Sequence, residues 1–105
     1  MVEQSAAIKY IQEHPETTYS SDIDTAIMEI YRGHPTTALF LLQRALEQET
    51  GNLLVMKWTG ICYEKLNDRV LAAKYYYKAL QLTEKNDLFD SFTKEITERL
   101  KHLGF

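Results

Sequence analysis

The chain has 105 residues, 45% of them hydrophobic and 26% charged. That is the composition of an ordinary globular domain, and one long enough to bury a core without disulfide or metal staples. The formal net charge is −3, with 12 basic residues scattered among 15 acidic ones; this argues against nucleic acid as a main partner, because a phosphate binder carries a basic stripe.

Six helices are predicted. The first runs from about Glu3 to Glu13, with Ala7, Tyr10 and Ile11 on one face and Ile8 beside them. His14-Pro15 ends it, since the residue before a proline is pushed out of helical geometry. Glu16 to Ser21 is a polar linker, and Ser21 or Asp22 caps a second helix that reaches about Arg32. Gly33-His34-Pro35 breaks the chain, and Pro35 suits the first turn of a third helix running to about Glu49. Gly51-Asn52 closes that helix. The fourth covers Leu53 to Leu66, followed by an Asn67-Asp68 turn with a capping aspartate. The fifth spans about Arg69 to Glu84. Asn86-Asp87 turns the chain again, and Asp87 caps a last helix through Leu103, with Gly104 as its stop. On that helix Phe89, Phe92, Ile96, Leu100 and Leu103 step by three and four, while Lys94, Glu95, Glu98, Arg99 and Lys101 lie off the stripe.

Inside this series a spacing of 34 recurs. Ala38, Leu42, Ala45 and Leu46 return as Ala72, Tyr76, Ala79 and Leu80, Ala26 returns as Gly60, and Gly33 as Asn67. Such a period marks a stacked helix-pair repeat. The small residues let neighbouring helices approach closely, and the larger Leu42 and Tyr76 fill the space between.

The segment from Leu53 to Asn86 resembles a tetratricopeptide repeat. The family's large, small, aromatic and alanine places are held by Met56, Thr59-Gly60, Tyr63, Ala72, Tyr76 and Ala79. Methionine stands for the usual tryptophan, and Glu84 where a proline is common. Tyr19 to Asn52 is a weaker copy, with Glu29 in place of the aromatic and Asp22 in place of the large residue. The resemblance implies an all-α array of antiparallel helix pairs wound as a right-handed solenoid. Repeat 1 covers 19–52 and repeat 2 covers 53–86, with an N-terminal helix over 3–14 and a capping helix over 87–103, all in one domain, 1–105.

In that family the first helix of each pair lines a concave groove. Carried over, the groove takes Ile23, Ile27, Ile30 and Tyr31 from one pair, Leu54, Lys57, Trp58, Ile61, Glu64 and Lys65 from the next, and Leu88 and Phe92 from the last helix. The helix from Leu53 to Leu66 is apolar on more than one side, so it must be covered on more than one side. An apolar groove edged by Lys57 and Lys65 suits an amphipathic helix or apolar peptide, with Trp58 either its anchor or plain core. Some tetratricopeptide domains clamp a C-terminal carboxylate. Here Ile23, Ile27, Trp58, Leu88 and Phe92 stand where the clamp's polar residues would be, so an acidic C-terminal peptide is expected to bind poorly. The N-terminal helix either caps the repeats or enters the groove of this molecule or a second one.

No catalytic cluster stands out. His14, His34 and His102 lack ligand spacing, so no metal is expected, and no cofactor motif is present. Tyr75-Tyr76-Tyr77 diverge by ~100° per residue and form no common stack. Cys62 is the only cysteine, no stretch reaches the ~20 apolar residues of a membrane span, and Met1 to Ser5 lacks the features of a signal peptide. A cytoplasmic setting is the simplest expectation. The expected function is a non-catalytic protein-interaction adaptor. The alternatives are a self-associating module that forms a homodimer, or a small chaperone for a secretion or assembly subunit.

Overall fold

A computed structural model describes residues 21–48, 52–83 and 86–105, and among them every regular element is helical. The expected helix over 3–14 lies outside the described residues. The others are α1 (Ser21–Tyr31), α2 (Pro35–Gln48), α3 (Leu53–Lys65), α4 (Arg69–Thr83), a 3-10 turn (Asp87–Phe89) and α5 (Asp90–His102). No described helix is long and apolar enough to cross a membrane.

The same punctuation separates α1 from α2 and α3 from α4. Gly33 and Asn67 both take left-handed backbone, at φ 84° and 62°. In the first break the His34 N–H reaches the Glu29 carbonyl at 2.8 Å and the Gly33 N–H reaches Ile30 at 3.1 Å. In the second the Asp68 N–H reaches Tyr63 at 2.8 Å and the Asn67 N–H reaches Glu64 at 3.0 Å. Each is a Schellman closure, and the two coincide bond for bond on the 34-residue offset. Gly104, at φ 88°, closes α5 in the same way: Phe105 bonds Leu100 and Gly104 bonds Lys101, each at 3.0 Å.

Helix starts differ more. Asn52 caps α3, its side chain accepting from Leu54 N–H at 2.9 Å and Val55 N–H at 3.3 Å. Asp68 caps α4 through Leu71 N–H at 3.1 Å, as expected. Two expected caps are corrected. Ser21 and Asp22 both lie inside α1, where the Asp22 carboxylate instead takes a two-pronged bond from Arg44 of α2, at 2.9 and 3.2 Å. Asp87 does not cap the last helix: the Asn86 side chain takes the Leu88 N–H at 3.0 Å, a 3-10 turn follows, and α5 begins only at Asp90. The apolar stripe therefore enters the core from Phe92 onward, with Phe89 exposed.

Consecutive helices pack in chain order, and α1 also touches α3. The core runs through all five. Ala26, Ala38, Leu42 and Ala45 are buried in the first pair, and Gly60, Ala72, Tyr76 and Ala79 in the second. Helix α3 sits at the centre. Every residue from Leu54 to Cys62 is buried, which is how a helix apolar on more than one side must end. Its one buried hydroxyl, Thr59, returns a 2.7 Å bond to the Val55 carbonyl, so the burial leaves no unmet donor there. Tyr76 crosses from α4 onto Gly60. A Cβ at position 60 would come within 2.7 and 2.8 Å of the ring's Cδ1 and Cζ, so only glycine admits the ring at this crossing.

Candidate binding cleft

Between the C-terminal ends of α1 and α3 lies an open cleft of about 260 Å3. Its apolar wall is Ile30 and Tyr31 from α1 with Trp58 and Ile61 from α3, and its rim is Glu64, Lys65 and Arg99. The helical repeat makes the wall: 30 and 31 lie on the last turn of α1, and 58 and 61 share one face of α3. Tyr31 meets Trp58 edge to face, with ring centroids 6.1 Å apart at 62°. That geometry suits the aromatic quadrupole and holds the wall in place.

The rim is tied to the core by charge. The Glu64 carboxylate accepts the Tyr76 hydroxyl at 2.9 Å on one oxygen and meets the Arg99 guanidinium at 3.5 Å on the other. Burial and the nearby Glu64 charge push the Tyr76 phenol far above its ordinary range, so it stays a donor. Arg99 also lies 3.5 Å from Glu95, one turn earlier on α5. Both its ion pairs are long, and its Nε is buried without a hydrogen-bond partner. Lys65 is exposed and engages no carboxylate among the described residues.

The residues expected to line a groove do not all meet here. Ile30, Tyr31, Trp58, Ile61 and Lys65 come together at the cleft. Ile23, Ile27 and Leu54 are core, and Ile30, Trp58 and Ile61 at the cleft belong to the same buried cluster, so that among the apolar residues of the wall Tyr31 is the one more than marginally exposed. Lys57, expected at the rim, is 1% exposed: its Nζ pairs with Glu95 of α5 at 3.3 Å and lies 5.3 Å from the Trp58 ring centre. Burial pulls its pKa below the ordinary lysine value, and Glu95 offsets part of that. Its aliphatic stem fills core space and its charge is spent within the fold. Phe92 is half-buried against the core. Leu88 is 88% exposed on the 3-10 turn and does not reach the cleft.

Arg99 is the rim residue missing from the sequence reading, which placed it on the solvated face of α5. Its position between Ile96 and Leu100, at the border of the apolar stripe, was the available signal. Cys62 is fully buried, and burial pushes its thiol up to about 12, so it packs as a small apolar group. Tyr75 lies against Tyr63, ring centroids 5.7 Å apart and nearly parallel, while Tyr77 is exposed. Among the described residues no three His, Cys, Asp or Glu side chains converge as metal ligands would.

No family model, curated protein or solved structure matches the chain.

Proposed function

We propose that the protein is a non-catalytic interaction module of tetratricopeptide-like build, which holds an apolar side chain of a protein partner in the cleft between α1 and α3. The observation that carries the reading is the cleft itself, where the half-buried Tyr31 stands beside Trp58 and Ile61 with the exposed Lys65 at its edge. A cleft of about 260 Å3 is at or below the small end of small-molecule sites, which run from ~300 Å3 upward. It is better matched to one anchor side chain of a peptide or helix, the way helix-in-groove recognition works. Support for the tetratricopeptide build comes from the twofold recurrence of the Schellman closures and of the small–large packing pairs, both on an offset of 34. A cytoplasmic setting fits a chain whose one thiol is buried and unreactive.

Selection from a displayed library of random peptides tests the proposal. Peptides that bind the purified protein should carry a large apolar residue and should shift the NMR signals of Tyr31, Ile61 and Lys65. Tyr31→Ala should weaken them about tenfold, the ordinary loss for truncating an aromatic anchor contact. Selected peptides that leave those signals and that variant's affinity unchanged would remove the cleft from consideration.

A second reading, self-association, is favoured by one separate observation. Leu82 and Leu88 stand exposed near the α4–α5 junction, beside the partly exposed Phe89. Sedimentation over a range of concentrations separates it from the first, and Leu88→Lys should dissolve any dimer.

A further inference from the structure

We infer that α5 is an exchangeable element: it leaves its seat on α3 and α4 while those helices stay folded, and the α5 of a second copy refills the seat. This deepens the self-association reading and is independent of the cleft. The occupant follows from the structure, because the seat already holds that sequence. Exchange of an identical element between two copies requires only a helix that detaches and a connection that can turn outward.

Among the described helices α5 has the weakest apolar hold on the core. Of its 13 residues only Ile96 and Leu100 are buried, with Phe92 and Leu103 packed partly beside them. The rest of the seam is polar. Lys57 of α3 is buried and meets Glu95 at 3.3 Å, Glu64 meets Arg99 at 3.5 Å, and the Thr93 hydroxyl donates to Thr83 at 3.0 Å. Taking charges out of water is costly, and only short, well-made ion pairs offset the cost. Both pairs here are longer than the ~2.7–2.9 Å of a strong charge-assisted bond, and the Arg99 Nε is buried without an acceptor. Detachment returns these groups to water, so the polar part of the seam adds little resistance to release. The connection is also the loosest of its kind. Phe89 stands at the N-cap of α5 and makes no side-chain cap bond, and a 3-10 turn precedes it where the other described junctions have a Schellman closure or a capping side chain. Leu82, Leu88 and Phe89 are exposed at this connection. In an exchanged pair the two connections meet about the twofold axis, and these side chains gain apolar neighbours. That burial favours the pair, against the high effective concentration at which each chain presents α5 to its own seat.

The test traps the exchange covalently. Thr83→Cys and Thr93→Cys are made in separate full-length chains, mixed in equal amounts and held in a buffer containing glutathione disulfide as oxidant. In a closed molecule each new thiol faces a threonine; the two thiols meet only when the α5 of one chain sits on the α4 of the other. Non-reducing gels should show the covalent heterodimer accumulating at least about tenfold faster than the homodimer of either variant alone. Hydrogen exchange of the unaltered chain is the second readout. Amides of α5 should exchange as a group, at least about tenfold faster than those of α3, as a unit that opens by itself does. No excess of heterodimer, or α5 amides that exchange only together with those of α3, would overturn the proposal. A dimer seen by sedimentation without the interchain disulfide would also overturn it, and would leave self-association standing on an outer surface. Heterodimer trapped from a chain that sediments as a monomer would support the exchange and remove the stable homodimer.

Discussion

The two helix pairs solve the same packing problem with different residues. In the first, Ala26 faces the α2 helix that carries Leu42; in the second, Gly60 faces the α4 helix that carries Tyr76, and all four are buried. The second pair has moved volume from one helix to the other: a methyl is lost at position 60 and a ring is gained at 76. The closures between helices are the same bonds, yet one uses Gly33 and the other Asn67 for the left-handed residue. What is preserved is the turn and the alanines of the second helix, Ala38 with Ala72 and Ala45 with Ala79, not the side chains at 26 and 60 or at 42 and 76. This is what a close-packed interior requires, since total volume and backbone geometry matter more than identity.

The largest effects should come from breaking the volume exchange. Tyr76→Leu removes ring volume and the bond to Glu64, and should cost about 2–4 kcal/mol. Gly60→Ala should cost about 1–3 kcal/mol through overlap with the ring, even though alanine is the better helix former by ~1 kcal/mol. The double variant recreates the combination of the first pair and should recover at least about 1 kcal/mol relative to the sum. Urea unfolding of the four proteins measures this directly. Strict additivity would mean that the two positions do not share one space.

Next in size is the contrast between Ile23 and Lys57, which occupy equivalent places and are both buried. Removing the stem in Lys57→Ala should cost about 2–3 kcal/mol, as deleting a buried chain of that length does. Lys57→Met keeps the volume and drops the charge, and should stay within about 1 kcal/mol of the native protein, because the Glu95 carboxylate left behind is 39% exposed and keeps Arg99 as a neighbour. Thermal melts that show both variants equally damaged would assign the role to the charge and its bond to Glu95 instead of to the packing.

The two breaks sharpen the comparison at smaller cost. A Cβ at Gly33 meets nothing within 4 Å, so any penalty there is backbone alone. Gly33→Val should lose about 1–2 kcal/mol, the cost of a left-handed conformation for a branched residue. Gly33→Asn should lose about 0.5 kcal/mol or less, since the second pair already runs on asparagine. Comparing chemical-denaturation midpoints gives the answer. A large loss in Gly33→Asn would show that the breaks are not interchangeable.

Most of the architecture was readable in advance because its signals are local. Gly33-His34-Pro35, Asn67-Asp68 and Gly104 each stop a helix for a backbone reason that needs no knowledge of the rest of the fold. Alanines on a fixed offset likewise announce close approach. The start of α5 was misread because Asn86 and Asp87 are adjacent and both are good caps; only the structure shows that Asn86 takes the bond and a 3-10 turn follows. The cleft was half readable for a different reason. The repeat pattern puts Ile23, Ile27, Leu54, Trp58 and Ile61 on one surface, but it does not say how much of that surface stays accessible. That depends on where α5 comes to rest, and its placement rests on contacts such as Lys57–Glu95 and Glu64–Arg99, distant in sequence. Lys57 falls at the rim only by its register in the repeat, which says nothing of its burial, and Arg99 lies off the apolar stripe of the last helix, where arginine usually marks a solvated face.

The smallest expected effect separates the two pairs by pH. Glu29 and Tyr63 occupy equivalent positions and titrate in opposite regions. Bonds from His34 at 2.8 Å and Arg32 at 3.0 Å hold the Glu29 carboxyl below its ordinary value of 4.5. A lowered folded pKa means that the stabilisation is present above the unfolded value and is lost as pH falls through the folded one. The first pair should therefore weaken below about pH 4.5, and Glu29→Gln should flatten that part of the stability curve. Burial, reinforced by Tyr75, Asp68 and Cys62, raises the Tyr63 phenol above its ordinary value of 10.0. A raised folded pKa means that stability is complete below the unfolded value and falls as pH rises through it. The second pair should weaken as pH rises, first above about 9.0 through the Cys62 thiol, whose folded value is pushed up to about 12, and further above about 10.0 through Tyr63, so Tyr63→Phe should make the alkaline limb shallower and leave the acid one unchanged. Urea midpoints across the acid and alkaline ranges for both variants would distinguish the pairs. If Glu29→Gln altered the alkaline limb, or Tyr63→Phe the acid one, the two equivalent positions would be coupled through the core instead of acting within their own helix pairs.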